Sequence, residues 1–170
     1  MEPQATSYAI FAEFARESNI KMKNGLNRRR FNTVETKYGH GIQLETDGSI
    51  KLHPGTYRLT GFSLVTMQAT FAPPVMQHNL NYPGYCLLYD REFEDDNPLA
   101  HQIGIGSPGT AYDGSPSHFD IVITCEKDRH ICVGHQSGDQ LNDEVYLSVY
   151  EVDGIPSEYH LFARIAVYKL

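Results

Sequence analysis

The sequence predicts an all-β protein, folded as a sandwich or barrel. Three observations support this. Short segments rich in β-branched and aromatic residues recur along the whole chain, separated by Gly, Pro, Asn and Asp. The longest runs without turn residues alternate with period two or are apolar on both faces, and none has a helical period. No repeat, low-complexity tract or linker divides the chain, so residues 1–170 are expected to form one domain, with 1–6 as an N-terminal extension. A chain of this length buries roughly 70% of its extended surface on folding, which suffices for one core.

The first segment, YAIFAEFA, sets Tyr8, Ile10, Ala12 and Phe14 on one face and Ala9, Phe11, Glu13 and Ala15 on the other, so both faces are largely apolar. Residues 16–30 are the first irregular stretch and are expected to be a loop. They end in Arg28–Arg30, read as a solvated run or as partners for nearby carboxylates. IQLETDGSIKLHPGTYRLTGFSLVTM contains several strands, and Pro54 and Gly55 suit the central positions of a type II turn launching the strand that bears Tyr57. Residues 72–82 are too proline-rich to continue a central strand and are expected to form a second loop.

GYCLLYD is the next strand, and Asp90–Asn97 after it concentrates five carboxylates, expected to form a solvated acidic loop. QIGIG follows, then HFDIVITCEKDRHICVG. If Asp128 and Arg129 form a two-residue turn there, Cys125 and Cys132 share a face. The three cysteines make no disulfide framework and are expected to be buried thiols. The last two segments are again apolar on both sides. In VYLSVYEV, Val145, Leu147 and Val149 oppose Tyr146, Ser148, Tyr150 and Val152; in YHLFARIAVYKL, Leu161, Ala163, Ile165 and Val167 oppose Phe162, Arg164, Ala166 and Tyr168. A sandwich has one dry interior, so a sheet with two dry sides is expected to meet another subunit.

Gly104–Gly109, GIGSPG, matches the G-x-G-x-x-G dinucleotide fingerprint letter for letter. That fingerprint must follow a strand and open a helix, whose N-terminus holds the pyrophosphate. Here Gly114 and Pro116 interrupt any helix after it, so the glycines are read as a bend between strands. Neither a G-x-S-x-G elbow, a C-x-x-C, an H-E-x-x-H nor a P-loop lysine motif is present. His130 and His135 differ by an odd number and point to opposite faces of one strand, so no metal site is expected from them. The net charge of −7 argues against nucleic acid as a partner. The N-terminal stretch lacks a basic n-region and carries Glu13 and Arg16, so neither a signal peptide nor a membrane span is expected. The expected location at synthesis is cytoplasmic, with surface display only by a non-classical route.

Phe31–Val65, FNTVETKYGHGIQLETDGSIKLHPGTYRLTGFSLV, resembles the shared core of the C1q and tumour-necrosis-factor superfamily. It is particularly similar to bacterial C1q-like domains such as the C-terminal domain of the spore-surface collagen-like glycoprotein. Phe31, Asn32, Gly41, Ile50, Gly55 and Tyr57 carry the match. Gly138 and Asp139 resemble the family's GD turn, and Phe162 and Ala163 its closing strand. The resemblance implies a jelly roll of two antiparallel sheets, a compact homotrimer, and recognition or scaffolding without catalysis or cofactor.

The functional expectation is therefore a non-enzymatic homotrimeric module that binds a glycan, another polar ligand or a protein. Tyr146, Tyr150, Phe162 and Tyr168 are expected at the trimer interface, with Leu147, Val149, Ile165 and Val167 in the core. Tyr112, Asp113 and His118, in SPGTAYDGSPSH, are the expected ligand contacts, since an aromatic beside a carboxylate and an imidazole suits a polar ligand. The competing expectation is a cupin-like jelly-roll enzyme with a histidine-bound metal.

Overall fold

The computed structural model describes residues 6–14, 23, 25–67, 83–110, 115–137, 145–146 and 161–170. The chain is a β-sandwich. Its strands are β1 (Ser7–Phe14), β2 (Leu26–Arg28), β3 (Thr33–Tyr38), β4 (Ile42–Leu44), β5 (Ile50–Leu52), β6 (Gly55–Ser63), β7 (Thr66–Met67), β8 (Pro83–Asp90), β9 (Gln102–Thr110), β10 (Ser117–Cys125), β11 (Arg129–Ser137), β12 (Val145–Tyr146) and β13 (Leu161–Lys169). A five-stranded sheet runs β10-β6-β13-β1-β3. The second sheet runs β4-β5-β11-β8-β9, with β2 also paired to β11, and every ladder is antiparallel.

Consecutive strands mostly belong to different sheets, as a jelly roll requires. The β4–β5 pair is a true hairpin. Gly48, at φ 82°, lets the chain turn, and Asp47 accepts from the Ser49 amide and hydroxyl. Pro54–Gly55 differs from the expected type II hairpin. Gly55 has φ 152° where that turn needs about 80°, and the chain passes there from the second sheet into the first. The expected turn at Asp128–Arg129 is likewise a change of sheet, because β10 pairs with β6 and β11 pairs with β8. Cys125 therefore enters the central core while Cys132 lies on the other side of the second sheet, against Leu87 and Tyr89. The three thiols are free and buried, as expected.

Other local expectations are also revised. Leu26–Arg28 is a strand where residues 16–30 read as a loop, and the stretch 72–82 lies outside the described residues. Thr33–Tyr38 is an edge strand with almost every residue exposed, which leaves no apolar alternation to betray it. β9 continues through the whole of GIGSPG, and the described residues after it, from Ser115, lead into β10 without a helix. A Cβ on Gly104 would stand 2.7 Å from Ile121, and one on Gly106 would collide with Cys86 and stand 2.8 Å from Ser117 Oγ. The glycines let one sheet's edge pass tightly over the other's, a packing requirement unrelated to a phosphate.

The main core lies between the sheets. It joins Ala9, Phe11, Tyr57, Leu59, Ile165 and Val167 of the first to Ile42, Ile50, Leu52, Leu88, Ile131 and Val133 of the second. Ile165 and Val167 thus occupy the interior as expected. Register also defines the two ends. Phe14 is opposite Leu161 and Ser63 opposite Ser117 in the first sheet, while Gly84 is opposite Ser137 and Pro83 opposite Thr110 in the second. The connections through 15–24, 68–82, 111–114 and 138–160 all leave strands at this end. Ser7 and Lys169, paired with one another, lie at the other. Among the described residues no helix is long and apolar enough to cross a membrane.

Candidate functional site

Because side chains alternate along a strand, the residues between the core positions of the five-stranded sheet form its outward face. Register arranges them in transverse rows. Tyr38, Tyr8, Tyr168, Arg58 and Val122 form one; Thr36, Ile10, Ala166, Thr60 and Asp120 the next; Ala12, Arg164, Phe62 and His118 a third. The Tyr8 and Tyr38 rings stack with centroids 5.6 Å apart, and Phe62 meets the His118 ring at 6.0 Å. Two guanidinium–carboxylate pairs lie across the rows. Arg58 binds Asp120 at 2.9 and 2.6 Å, and Arg164 binds Glu35 at 2.6 and 2.7 Å. Tyr38 is 62% exposed and Val122 61%, so both ends of the first row stand in water in the single chain.

The expected interface residues divide. Tyr168 lies on this face, half-buried. Phe162 falls where the β1–β13 register shifts between Glu13 and Phe14, and it is already buried within the chain. Val145–Tyr146 pairs with Thr66–Met67 and with neither β1 nor β13, which revises the expectation of three adjacent apolar strands. Tyr150, Leu147 and Val149 lie outside the described residues, as do Tyr112 and Asp113 of the expected ligand loop. His118, the third expected contact, is exposed on the outward face near that loop's return to β10.

Beneath the same end lies a cluster that sequence reasoning missed. Arg29 is wholly buried, and the Arg28–Arg30 run is therefore not solvated throughout. Its Nε donates to Ser63 Oγ at 2.8 Å, its Nη2 donates to the Leu64 carbonyl, and its backbone amide donates to Val133 O at 2.8 Å. Ser63 Oγ in turn lies 2.9 Å from His135 Nδ1, across the gap between the sheets. The hydroxyl oxygen accepts from Arg29 and has a second lone pair, so the proton of its bond to Nδ1 belongs either to the hydroxyl or to the ring. Glu13, 5% exposed, accepts from the Arg30 amide at 3.0 Å; burial pushes its carboxyl up against the pull of Arg29. His135 is pushed down to about 3, by burial first and by the Arg29 charge second. The available signal was Glu13 itself, a carboxylate in a strand with two apolar faces.

The acidic stretch is also less solvated than its composition suggests. Asp90 binds Arg129 at 2.9 and 2.6 Å, and Glu94 binds Arg28 at 2.7 Å. Arg28 and Arg91 both reach Asp47, at 3.1 and 3.0 Å. Asp90, Arg91, Glu92, Lys127, Asp128, Arg129 and His130 line an open cleft of about 300 Å³, but most of its charges already face partners within the chain. Among the described residues no three His, Cys, Asp or Glu side chains converge as a metal site.

No family model matches the sequence, and no curated protein matches it significantly. Solved structures do. The crystal structure of murine APRIL at pH 8.0 superposes with a TM-score of 0.55 and 10% identity, covering 96% of this chain and 98% of that one. The structure of the same murine protein at pH 8.5 gives 0.54 and 12%, over the same shares of both chains. At such identity the likeness concerns architecture: this chain has the jelly-roll sandwich of the tumour-necrosis-factor type.

Proposed function

We propose that the chain is a non-enzymatic recognition or structural module that assembles as a homotrimer through the outward face of its five-stranded sheet. The observation that carries this is the uncovered aromatic face itself, on which Tyr8, Tyr38, Tyr168 and Phe62 stand together outside the core. An apolar face on a sheet whose other side already packs a core needs a partner. The face is also unlike at its two edges, Tyr38 on β3 and Val122 on β10, and unlike edges suit the head-to-tail contacts from which rings are built. The jelly-roll fold and the C1q-like resemblance of Phe31–Val65 support the same assembly.

The end at which Phe14, Pro83, Thr110, Ser117, Ser137 and Leu161 lie is the natural place for recognition, because loops on a rigid scaffold carry most binding residues. His118 stands on β10 just after the segment that carries Tyr112 and Asp113, and a glycan or similar polar ligand suits the chemistry of the three. Sedimentation of the purified chain tests the assembly. A species of three chains is expected, and a monomer at micromolar concentration would refute the proposal. Glycan-array screening of the assembled protein tests the ligand, with binding expected to fall on Tyr112→Ala.

A further inference from the structure

We propose that the Glu13–Arg29–Ser63–His135 cluster is an acid-operated latch that opens the loop-bearing end of the sandwich while the opposite end stays shut. The cluster is a charged tie between the sheets at that end, beside the neutral one in which Ser117 Oγ accepts from the Cys86 amide at 2.8 Å. Ser63 and Leu64 belong to β6 and its continuation in the first sheet, His135 to β11 in the second, and Arg29 is bonded to both sides. Toward the other end, around Tyr57 and Ile131, the described core residues are apolar.

A proton added to His135 has no place in the closed arrangement. With both ring nitrogens protonated Nδ1 can only donate, so Ser63 Oγ takes a second donor beside Arg29 and its own proton cannot go to the ring. Nε2 has no hydrogen-bond partner among the described residues, and a Cβ on Gly84 would approach it to 2.7 Å, so a charged ring gains nothing on that side. The titratable neighbours offer little relief. Arg29 is a second cation, Cys86 on the adjacent strand is a thiol kept neutral by burial, and Glu13 is committed to the Arg30 amide and to Arg29. Separating the sheet ends lets the imidazole take its proton in water.

The sign follows from linkage. His135 holds a proton less readily closed than open, so acid favours the open form, by about tenfold per pH unit below the ordinary histidine value of about 6.5. Glu13 acts oppositely: its raised value makes the closed form bind a proton first, which offsets His135 over the pH range in which both titrate. Replacing Glu13 with glutamine removes the offset and keeps an acceptor for the Arg30 amide.

Amide hydrogen exchange on the full chain from pH 7.5 to 4.5, corrected for intrinsic rates, reads the opening at each end. In Glu13→Gln, the amides of Arg29, Leu64 and His135 should open about tenfold more per pH unit below about 6.5, while those around Tyr57 and Ile131 do not change. Adding His135→Gln should flatten the response. A flat response in Glu13→Gln, an equal rise at both ends, or an undiminished response with His135→Gln would each overturn the latch. Should His135→Gln not fold, imidazole NMR of the wild-type chain decides. A neutral His135 in the closed form at pH 5 supports the latch, and a ring titrating near 6.5 with the end still closed overturns it.

Discussion

Arg58 and Asp120 form a two-bond ion pair across neighbouring strands at the β10 edge of the outward face, and both side chains are about half exposed in the single chain. Water screens such a pair to near irrelevance for folding. Covered by another copy, the same pair is desolvated, and losing one member leaves a buried charge unmatched. Asp120→Ala should therefore leave the circular dichroism and thermal midpoint of the chain nearly unchanged, and raise the concentration at which the assembly half-dissociates by about tenfold or more. Sedimentation across a dilution series reads this directly. An unaltered dissociation curve would put the pair outside any interface.

Tyr168 and Val167 are adjacent in sequence and face opposite ways. Tyr168→Asp should yield folded monomers, because the charge falls on the outward face beside Tyr8 and Arg58. Val167→Asp should unfold the domain, because Val167 has no exposed surface and a lone carboxylate there costs more than about 4 kcal/mol. Light scattering with circular dichroism on both variants separates the cases.

Gly106→Ala should destabilise the domain by about 1–3 kcal/mol, since the added methyl collides with Cys86 Sγ and presses on the His118 carbonyl. Urea unfolding measures the loss. No nucleotide should protect the wild-type protein in the same experiment.

Asp47 gives a pH dependence of the usual carboxylate sign. Partial burial pushes its carboxyl up, but the Ser49 hydroxyl and amide together with Arg28 and Arg91 outweigh this and hold it below the ordinary carboxylate range. Its stabilising effect is complete above the unfolded value of about 3.9 and is lost as pH falls below that. Asp47→Asn should therefore cost about 1 kcal/mol at pH 7, discounted for solvent screening, and progressively less as pH falls below about 3.9. Denaturation curves at pH 7 and pH 2.5 make the comparison.

Native protein should resist thiol reagents at all three cysteines, because burial pushes each thiol up, Cys132 to about 12, and thiolate is the reactive form. Three thiols should become reactive on unfolding.

Strand faces were legible in the sequence because alternation is a local property. Ala9, Phe11, Ile165 and Val167 lie in the core, as their spacing implies. Partners were not legible, because a jelly roll separates neighbours in sequence. Cys125 and Cys132, with six residues between them, belong to opposite sheets, whereas Ser7 and Lys169 pair. The buried cluster was hidden for the same reason. Nothing local distinguishes Arg29 from Arg30, and the difference arises from Ser63 and His135 far along the chain. On the outward face, Tyr168 could be read from strand periodicity, but the Tyr8–Tyr38 stack depended on the pairing of an edge strand without an apolar pattern.

The pairing of Ser7 with Lys169 gives the domain a polarity for attachment. The Thr6 amide donates to Lys169 O at 3.1 Å, and the Leu170 amide donates to Thr56 O at 2.9 Å, so both ends of the described chain emerge side by side, at the end opposite Ser63 and His135. A stalk, label or solid support joined at either terminus would hold the molecule by its heel. The opposite rim would then be turned toward the surroundings, and the choice of terminus would change little about what is presented.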